Sequence, residues 1–422
     1  MCVLYLATRH TPPGTEMNER SVIHMDLDTF FVSCERLLDS KLIGKPVLIG
    51  GTTDRGVVAS CSYEARGFGI HSAMPMKLAK QLCPEAIIVK GNSSTYSAKS
   101  DEVTSIIRES VPLFEKTSVD EFYCDLSGMD KFFGCYKFGK ELRERIIKET
   151  HLPISFGLSQ NKTVSKVATG ESKSDKSHFR KVDKGEEKTF LAPLSIKKIP
   201  MVGDKTYQML RNMGVSKIQT VQEMPVEMMQ KAFGENGVSI WRKSNGIDNS
   251  EVIPYQERKS ISTERTFDKD TIDIIKLRGI ILAMAENLAF QLRRGEKVTA
   301  CITMKVRYTD FQTETLQCRI PYTSADHILI PKVLELFEKL YNRRMLVRLV
   351  GVKFSHLVGG GYQINLFEDS EERINLYQAM DKMRERYGDR IVMTAAGMDA
   401  KSIGRWNPFT GDAPPLLANR RQ

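Results

Sequence analysis

Ser21-Val-Ile-His-Met-Asp26-Leu27-Asp28-Thr29-Phe30-Phe31 orders the rest of the chain around itself. Apolar and polar residues alternate from Ser21 to Leu27, the period of a half-buried strand. The alternation breaks at Asp28, a residue type suited to cap the helix predicted over Thr29–Leu38. Residues two apart on a strand share a face, so Asp26 and Asp28 deliver two carboxylates to one end of the strand. Roughly a hundred residues later, Ser118-Val119-Asp120-Glu121 sets a second acidic pair after a strand-like piece of its own. Two acidic strand ends in one place repel unless cations lie between them. Magnesium suits such a place, because it takes a few carboxylates together with substrate phosphates in preference to a closed protein cage. Two such ions about 3.5–4 Å apart stabilise both the attacking and the leaving oxygen of a phosphoryl transfer. Alone, either acidic pair reads as ordinary turn and cap residues; its weight comes from what surrounds it.

Outward from this centre, strands and helices keep alternating. Lys45–Gly50 and Val57–Cys61 read as short strands, and Met76–Leu82 as a helix stopped by Pro84. Strand-like pieces flank Ser118–Glu121 within Glu115–Leu126, Lys137–Thr150 is a charged amphipathic helix, and Ile154–Leu158 is a further strand. Residues 20–182 thus read as an α/β or α+β catalytic core. From 183 to 246 the strand signal fades, and short helices are punctuated by Gly203, Gly214, Gly234 and Gly237. Ile247–Arg258 has no clear period and reads as a linker. A second α+β region spans 259–368, with helices over Asp273–Arg294 and Ile330–Tyr341 and strands over Val298–Tyr308, Thr313–Ile320 and Leu346–His356. Residues 369–422 read as a tail with one helix, Arg373–Tyr387, and 1–19 as a disordered extension, with a second methionine at Met17.

Composition bounds the function. A chain of 422 residues exceeds the roughly 250 that a single core serves, so several modules are expected. No apolar run approaches the ~20 residues that cross a bilayer, and Met1–Ala7 has neither the basic start nor the length of an export signal. No membrane attachment is expected. The eight cysteines include no Cys-x-x-Cys pair and no Cys/His cluster of zinc spacing, which fits a reducing cytoplasm. A net charge of +10 favours a polyanionic partner, since Lys and Arg on phosphates release counterions. By itself that charge is a weak pointer to nucleic acid.

Four segments, in order and spacing, resemble those of the Y-family (translesion) DNA polymerases, their bacterial polymerase IV type in particular. Ile23-His-Met-Asp26-Leu-Asp28-Thr-Phe30-Phe31 resembles the family's opening palm strand, and Ser118-Val-Asp120-Glu121-Phe-Tyr-Cys-Asp125 its second acidic motif. Tyr63-Glu-Ala-Arg66-Gly-Phe-Gly-Ile resembles the finger motif, and Gly157-Leu-Ser-Gln-Asn161-Lys162 through Lys173 the last palm helix. The resemblance covers 21 to about 368. It implies an α+β multidomain right-hand polymerase: palm at 20–29 and 92–182, fingers at 30–91, helical thumb at 183–246, and an α+β little finger at 259–368 after the 247–258 linker. The implied activity is template-directed addition of deoxynucleotides to a primer, with low processivity and two Mg2+ per active site. Asp26, Asp120 and Glu121 are then the catalytic metal ligands, assisted by the carbonyl of Leu27. The resemblance also corrects the spacing argument, because Asp28 is similar to a residue that starts the finger helix and is assigned the cap role.

For the incoming nucleotide, the resemblance implies Tyr63, Arg66 and Lys173 at the triphosphate, over a strand carrying Ala59 and Ser60, with Phe30 and Phe31 beside the sugar. Guanidinium and ammonium groups suit phosphate oxygens. Phe31 takes the place of the steric gate that excludes a 2′-hydroxyl, while Phe30, facing the opposite way, serves the core. After Lys173 the family has Pro where this chain has Ser174. Ile196–Gly214 has the form of a helix-hairpin-helix whose turn at Gly203, with Lys205 beyond it, offers backbone amides to a DNA phosphate. In the little finger, Arg307, Arg348 and Lys353 lie on strands, and alternation sets Arg348 and Val350 on one face and Leu349 on the other. Gln363-Ile-Asn-Leu366-Phe367 looks like a peptide that docks on the β sliding clamp, with Gln as polar anchor and Leu and Phe filling a pocket. The implied partners are primer–template DNA, a dNTP and that clamp, for a monomer. A noncatalytic DNA-binding or clamp-docking protein of the same fold, and a two-metal nuclease, are the competing readings.

Overall fold

The computed structural model describes residues 20–129, 134–360, 371–388 and 391–398. The chain divides into two compact units between Gln256 and Glu257, inside the stretch that reads as a linker. In chain order, the first unit opens with β1 (Val22–Leu27), α1 (Phe30–Leu38), β2 (Val47–Gly50), β3 (Val58–Cys61), α2 (Tyr63–Arg66), α3 (Met76–Leu82) and β4 (Ile87–Val89). It continues with α4 (Ser93–Ser110), β5 (Leu113–Lys116), β6 (Glu121–Asp125), α5 (Cys135–Thr150), β7 (Ile154–Ser159), α6 (Lys162–Ser172) and β8 (Phe179–Lys181). Five short helices follow: α7 (Glu187–Leu191), α8 (Asp204–Asn212), α9 (Ile218–Glu223), α10 (Val226–Phe233) and α11 (Glu235–Ser244). The 18-residue α4 and the short β4, α2 and β8 carry little apolar periodicity, and the residue pattern alone does not predict them.

Five strands make the central sheet, in the order β5-β6-β1-β7-β8. β1 is its middle strand and is buried along nearly its whole length. Beneath it lies a core of Ile23, Met25, Phe122, Phe156, Ile107 and Ile146. A separate three-stranded sheet, β3-β2-β4, packs its own small core around Leu48, Val58 and Met76. Helix α6 crosses β7 at Gly157, where an added Cβ would lie 2.2 Å from the Ser165 carbonyl oxygen and 2.5 Å from the Thr169 nitrogen. Only glycine permits that approach. Thr169 then locks the helix to β1, its hydroxyl 2.9 Å from His24 Nδ1 and 3.0 Å from the His24 carbonyl. This contact fixes where the side chains of α6 can reach.

The first half of the supposed linker is tied to this unit. Thr163 donates both its backbone N–H (3.1 Å) and its hydroxyl (2.7 Å) to Asp248, and the Ile253 N–H donates to Glu115 at 2.8 Å. Val252 is buried beside Val22 and Tyr123. Lack of periodicity in a segment therefore does not make it free.

The second unit contains β9 (Ser260–Thr271), α12 (Ile274–Arg294), β10 (Lys297–Tyr308), β11 (Thr313–Thr323), α13 (Asp326–Leu340), β12 (Val347–Gly359) and α14 (Glu371–Tyr387). Its antiparallel sheet runs β11-β10-β12-β9. One face packs Ile302, Met304, Val306, Val350, Val352 and Phe354 against Leu277, Ile281 and Met284 of α12 and Val333 and Phe337 of α13. The expected pairing of Arg348 with Val350 on one face is wrong. A bulge between Val347 and Leu349 inserts an extra residue, so Val347 and Val350 both point into the core and the bulged Arg348 lies over the Phe311 ring, 4.5 Å from its centre. Arg307, opposite Leu349, and Lys353, opposite Thr303, belong to the other face.

Candidate active site

Antiparallel pairing of β1 with β6 sets Asp26 opposite Glu121, and the Leu27 N–H donates to the Asp120 carbonyl at 3.0 Å. The sheet thus gathers the acidic ends of two strands that lie far apart in sequence. Asp26, Leu27, Asp120, Phe30, Phe31, Ala59, Ser60, Arg66 and Lys173 line one cleft of about 180 Å³, joined by Thr29 and Ser72. Of the nucleotide and metal residues read from the sequence, only Glu121 and Tyr63 are outside this lining. Tyr63 is exposed and stacks under Arg66, whose guanidinium lies 5.1 Å from the ring centre.

Charge in the cleft is balanced by α6. Lys162, Lys166, Thr169 and Lys173 recur at intervals of four, three and four residues, one stripe of a helix. Lys173 pairs with Asp26 and, at 3.2 Å, with Asp28. Lys166 holds both oxygens of Glu121, at 2.8 and 2.6 Å. Lys162 reaches Glu115 at 2.7 Å. Lys166 escaped the sequence reading, although its spacing from Lys162 and Lys173 was the available signal.

Burial raises Asp26 from 3.8 to about 6, with Lys173 opposing the rise and the charges of Asp120 and Glu121 adding to it. Asp120 is also raised, chiefly by burial, against a 2.5 Å hydrogen bond from Ser118. Burial works against the charge of Lys173, but Asp26 and Asp28 outweigh it and its pKa rises. His24, buried behind the cleft, is held well below its usual range by burial and then by Lys166.

Several expectations need correction here. Asp28 is not the cap of α1: that position belongs to Thr29, in the left-handed conformation and without a side-chain cap bond. The Asp28 carboxylate is buried instead, accepts from Ser155 Oγ at 2.7 Å, and faces Lys173. Phe30 and Phe31 do not point opposite ways, because neighbours on a helix diverge by only about 100°. Phe30 is buried, Phe31 is half-buried, and both rings meet Tyr96, Phe31 stacking on it at 4.4 Å between centres. In the helical region, the first helix of the predicted hairpin is a single 3-10 turn, Ile196–Lys198. Its sharp backbone turn falls at Met201 (φ 83°), whereas Gly203 is extended at the start of α8, with the exposed Lys205 following. Gln363, Leu366 and Phe367 lie outside the described residues.

Among the described residues, no three His, Cys, Asp or Glu side chains form a closed metal cage. The donor set nonetheless suits magnesium, whose sites use one or two carboxylates and leave the remaining positions to water and phosphates. Two neighbouring carboxylates, Asp26 and Asp120, open on the cleft beside Leu27.

The impB/mucB/samB family pattern matches residues 25–170, and the pattern of that family's C-terminal domain matches 258–366. A protein of Dehalococcoides mccartyi (strain BAV1) named DNA polymerase IV is 34% identical over 90% of this chain and 97% of its own length. Proteins of the same name from Treponema denticola (32% identical over 91% of this chain and 95% of the relative) and Streptococcus pneumoniae serotype 2 (36% over 79% and 96%) are similar along nearly their whole lengths. A solved Y-family DNA polymerase chimera superposes with a TM-score of 0.69, covering 81% of this chain and 100% of the chimera at 24% identity, which supports the fold. The chain belongs to the impB/mucB/samB family, the Y-family DNA polymerases. It is a DNA-directed DNA polymerase of the translesion type.

No helix among the described residues is long and apolar enough to cross a membrane.

Proposed function

We propose that Asp26, Asp120 and Glu121, with the Leu27 carbonyl, hold two magnesium ions at which a dNTP is joined to the 3′ end of a primer–template. The reading is carried by the β1–β6 register, which brings the acids from both strands to the cleft that holds the nucleotide residues. When bound, the ions would assist attack on the α-phosphate and offset charge building on the departing pyrophosphate. Arg66 and Lys173 are cations suited to the triphosphate, Tyr63 positions Arg66 by stacking, and Ala59 and Ser60 form the floor. Phe31, backed by Tyr96, is the wall that a 2′-hydroxyl would strike. We further assign palm to 20–29 and 92–182, fingers to 30–91, thumb to 183–246 and little finger to 259–368. Gly203, Lys205, Arg307, Arg348 and Lys353 are assigned to DNA, with Gln363, Leu366 and Phe367 binding a sliding clamp, for a monomer working in the cytoplasm.

Primer extension under single-turnover conditions tests the metal assignment. Asp120→Asn keeps the side-chain shape and removes the charge, and is expected to slow extension by about a thousandfold or more. Unchanged synthesis by that variant would overturn the assignment.

A further inference from the structure

Glu121 differs from the other acids at the cleft. Both its oxygens are taken by one ammonium, Lys166, and its carboxylate is absent from the cleft lining although its backbone faces Asp26 across the ladder. Lys166 is long, unbranched and about a third exposed, so it can move aside without disturbing the packing of α6, which Gly157 and Thr169 secure. An ammonium held against both oxygens of a carboxylate offsets its charge and so competes with a divalent cation for it.

We infer that Lys166 is a displaceable counterion that parks Glu121 and thereby weakens divalent-metal binding at the primer-side position until a cation displaces it. The inference rests on the metal reading above and adds a positioning residue to it. Chemically, the ammonium supplies one positive charge that offsets Glu121, as Lys173 offsets Asp26, in the metal-free enzyme; a divalent cation supplies two and replaces it. The consequence is a site that assembles only when the ion has arrived. Once released, the Lys166 ammonium remains tethered to α6 beside the same acids, in place to take Glu121 back when the cation leaves.

Metal binding to the free, full-length protein tests this without any turnover. Mn2+ is titrated by electron paramagnetic resonance in the absence of DNA and nucleotide, with thermal melts checking that each variant is folded. Lys166→Met, which removes the competitor, is expected to bind Mn2+ several-fold more tightly than the unaltered protein. Lys166→Arg, whose planar fork grips a carboxylate with two hydrogen bonds, is expected to bind it more weakly. The same order should appear in the Mn2+ concentration that gives half-maximal primer extension. If Lys166 served only to aim Glu121 at the metal, the order would reverse: the Met variant would lose binding and the Arg variant would restore it, and that result overturns the inference. Glu121→Gln made in the Lys166→Met background should erase the gain. Asp120→Asn separates the two levels: if it leaves Mn2+ binding intact, the metal site itself is misassigned, whereas if it lowers binding while the Lys166 order fails, only the parking role is wrong.

Discussion

Two clusters in this chain share one plan, a cation between two aspartates, and differ in nearly every physical detail. At the cleft, Lys173 stands between Asp26 and Asp28. In the second unit, Arg293 stands between Asp326 and Asp381, donating at 2.6 Å to Asp326 and at 2.6 and 3.0 Å to Asp381, with a further bond of 2.8 Å to the Ser324 carbonyl. Its guanidinium also lies 5.1 Å from the centre of the Tyr377 ring. Arginine there is 12% exposed, and its Nε and both terminal nitrogens already donate to protein acceptors. The lysine is 28% exposed, and its 3.2 Å contact is what faces the buried Oδ1 of Asp28. A guanidinium fork fixes planar partners, whereas an ammonium is a point charge on a flexible stem. The first cluster is built to be exchanged and the second to stay, so one leaves the cleft open to a ligand and the other fastens α14.

The strongest way to break this contrast is to remove the fixed cation. Arg293→Met takes the near partner from the buried Asp326 and leaves Asp381 with only Arg384, at 3.5 Å, and is expected to cost about 3–5 kcal/mol of stability in the second unit, read from denaturant unfolding. Single-turnover extension by the molecules that remain folded should be little changed. A loss below about 1 kcal/mol would place Arg293 among ordinary surface pairs and remove the distinction.

A smaller effect sharpens the exchangeable side. An Asp26 carboxyl raised from 3.8 to about 6 holds its proton more tightly in the folded protein than in the unfolded chain, so ionising it costs stability. That cost is absent below about pH 4 and complete above about pH 6. In chelator, Asp26→Asn should therefore match the unaltered protein near pH 4 and exceed it by up to about 3 kcal/mol by pH 8, as judged by melting across that range. A difference that does not grow with pH would mean that Lys173 already compensates the charge in full.

How far the sequence could be read follows from the same physics. Acidic strand ends and the Met76–Leu82 helix are local patterns, and they stand in the structure close to where the residues suggest. Lys166 and the true partner of Asp28 depend on which stripe of α6 meets which strand, a fact set by Gly157 and visible only once β7 and α6 are packed. Arg348 failed for a different reason: strand alternation assumes an unbroken ladder, and a single bulge between Val347 and Leu349 shifts every side chain beyond it. The Arg293 clasp joins residues up to 88 apart in the chain, and no period marks it.

A third kind of charge differs from both clusters: that of the open face of the second unit's sheet. Lys353 is exposed there opposite Thr303 and Ser262, Arg307 donates to Thr313 at 2.7 Å, and Lys305 is paired with Glu264. Hydroxyl groups of Thr303, Thr313, Thr315 and Ser262 fill the spaces between these cations, so the surface offers hydrogen-bond donors and positive charge. Such a face would grip a phosphate backbone through counterion release, and each cation would count about once. Lys353→Ala is accordingly expected to weaken primer–template binding by about 1 kcal/mol or less at moderate salt, equally for all sequences, and to reduce the slope of log affinity against log salt by about one. Arg348→Ala, which removes a guanidinium stacked on Phe311, should change the slope less and the thermal stability more. Should the two substitutions move the slope equally, the bulge would be presenting Arg348 to the DNA backbone as fully as the sheet face presents Lys353.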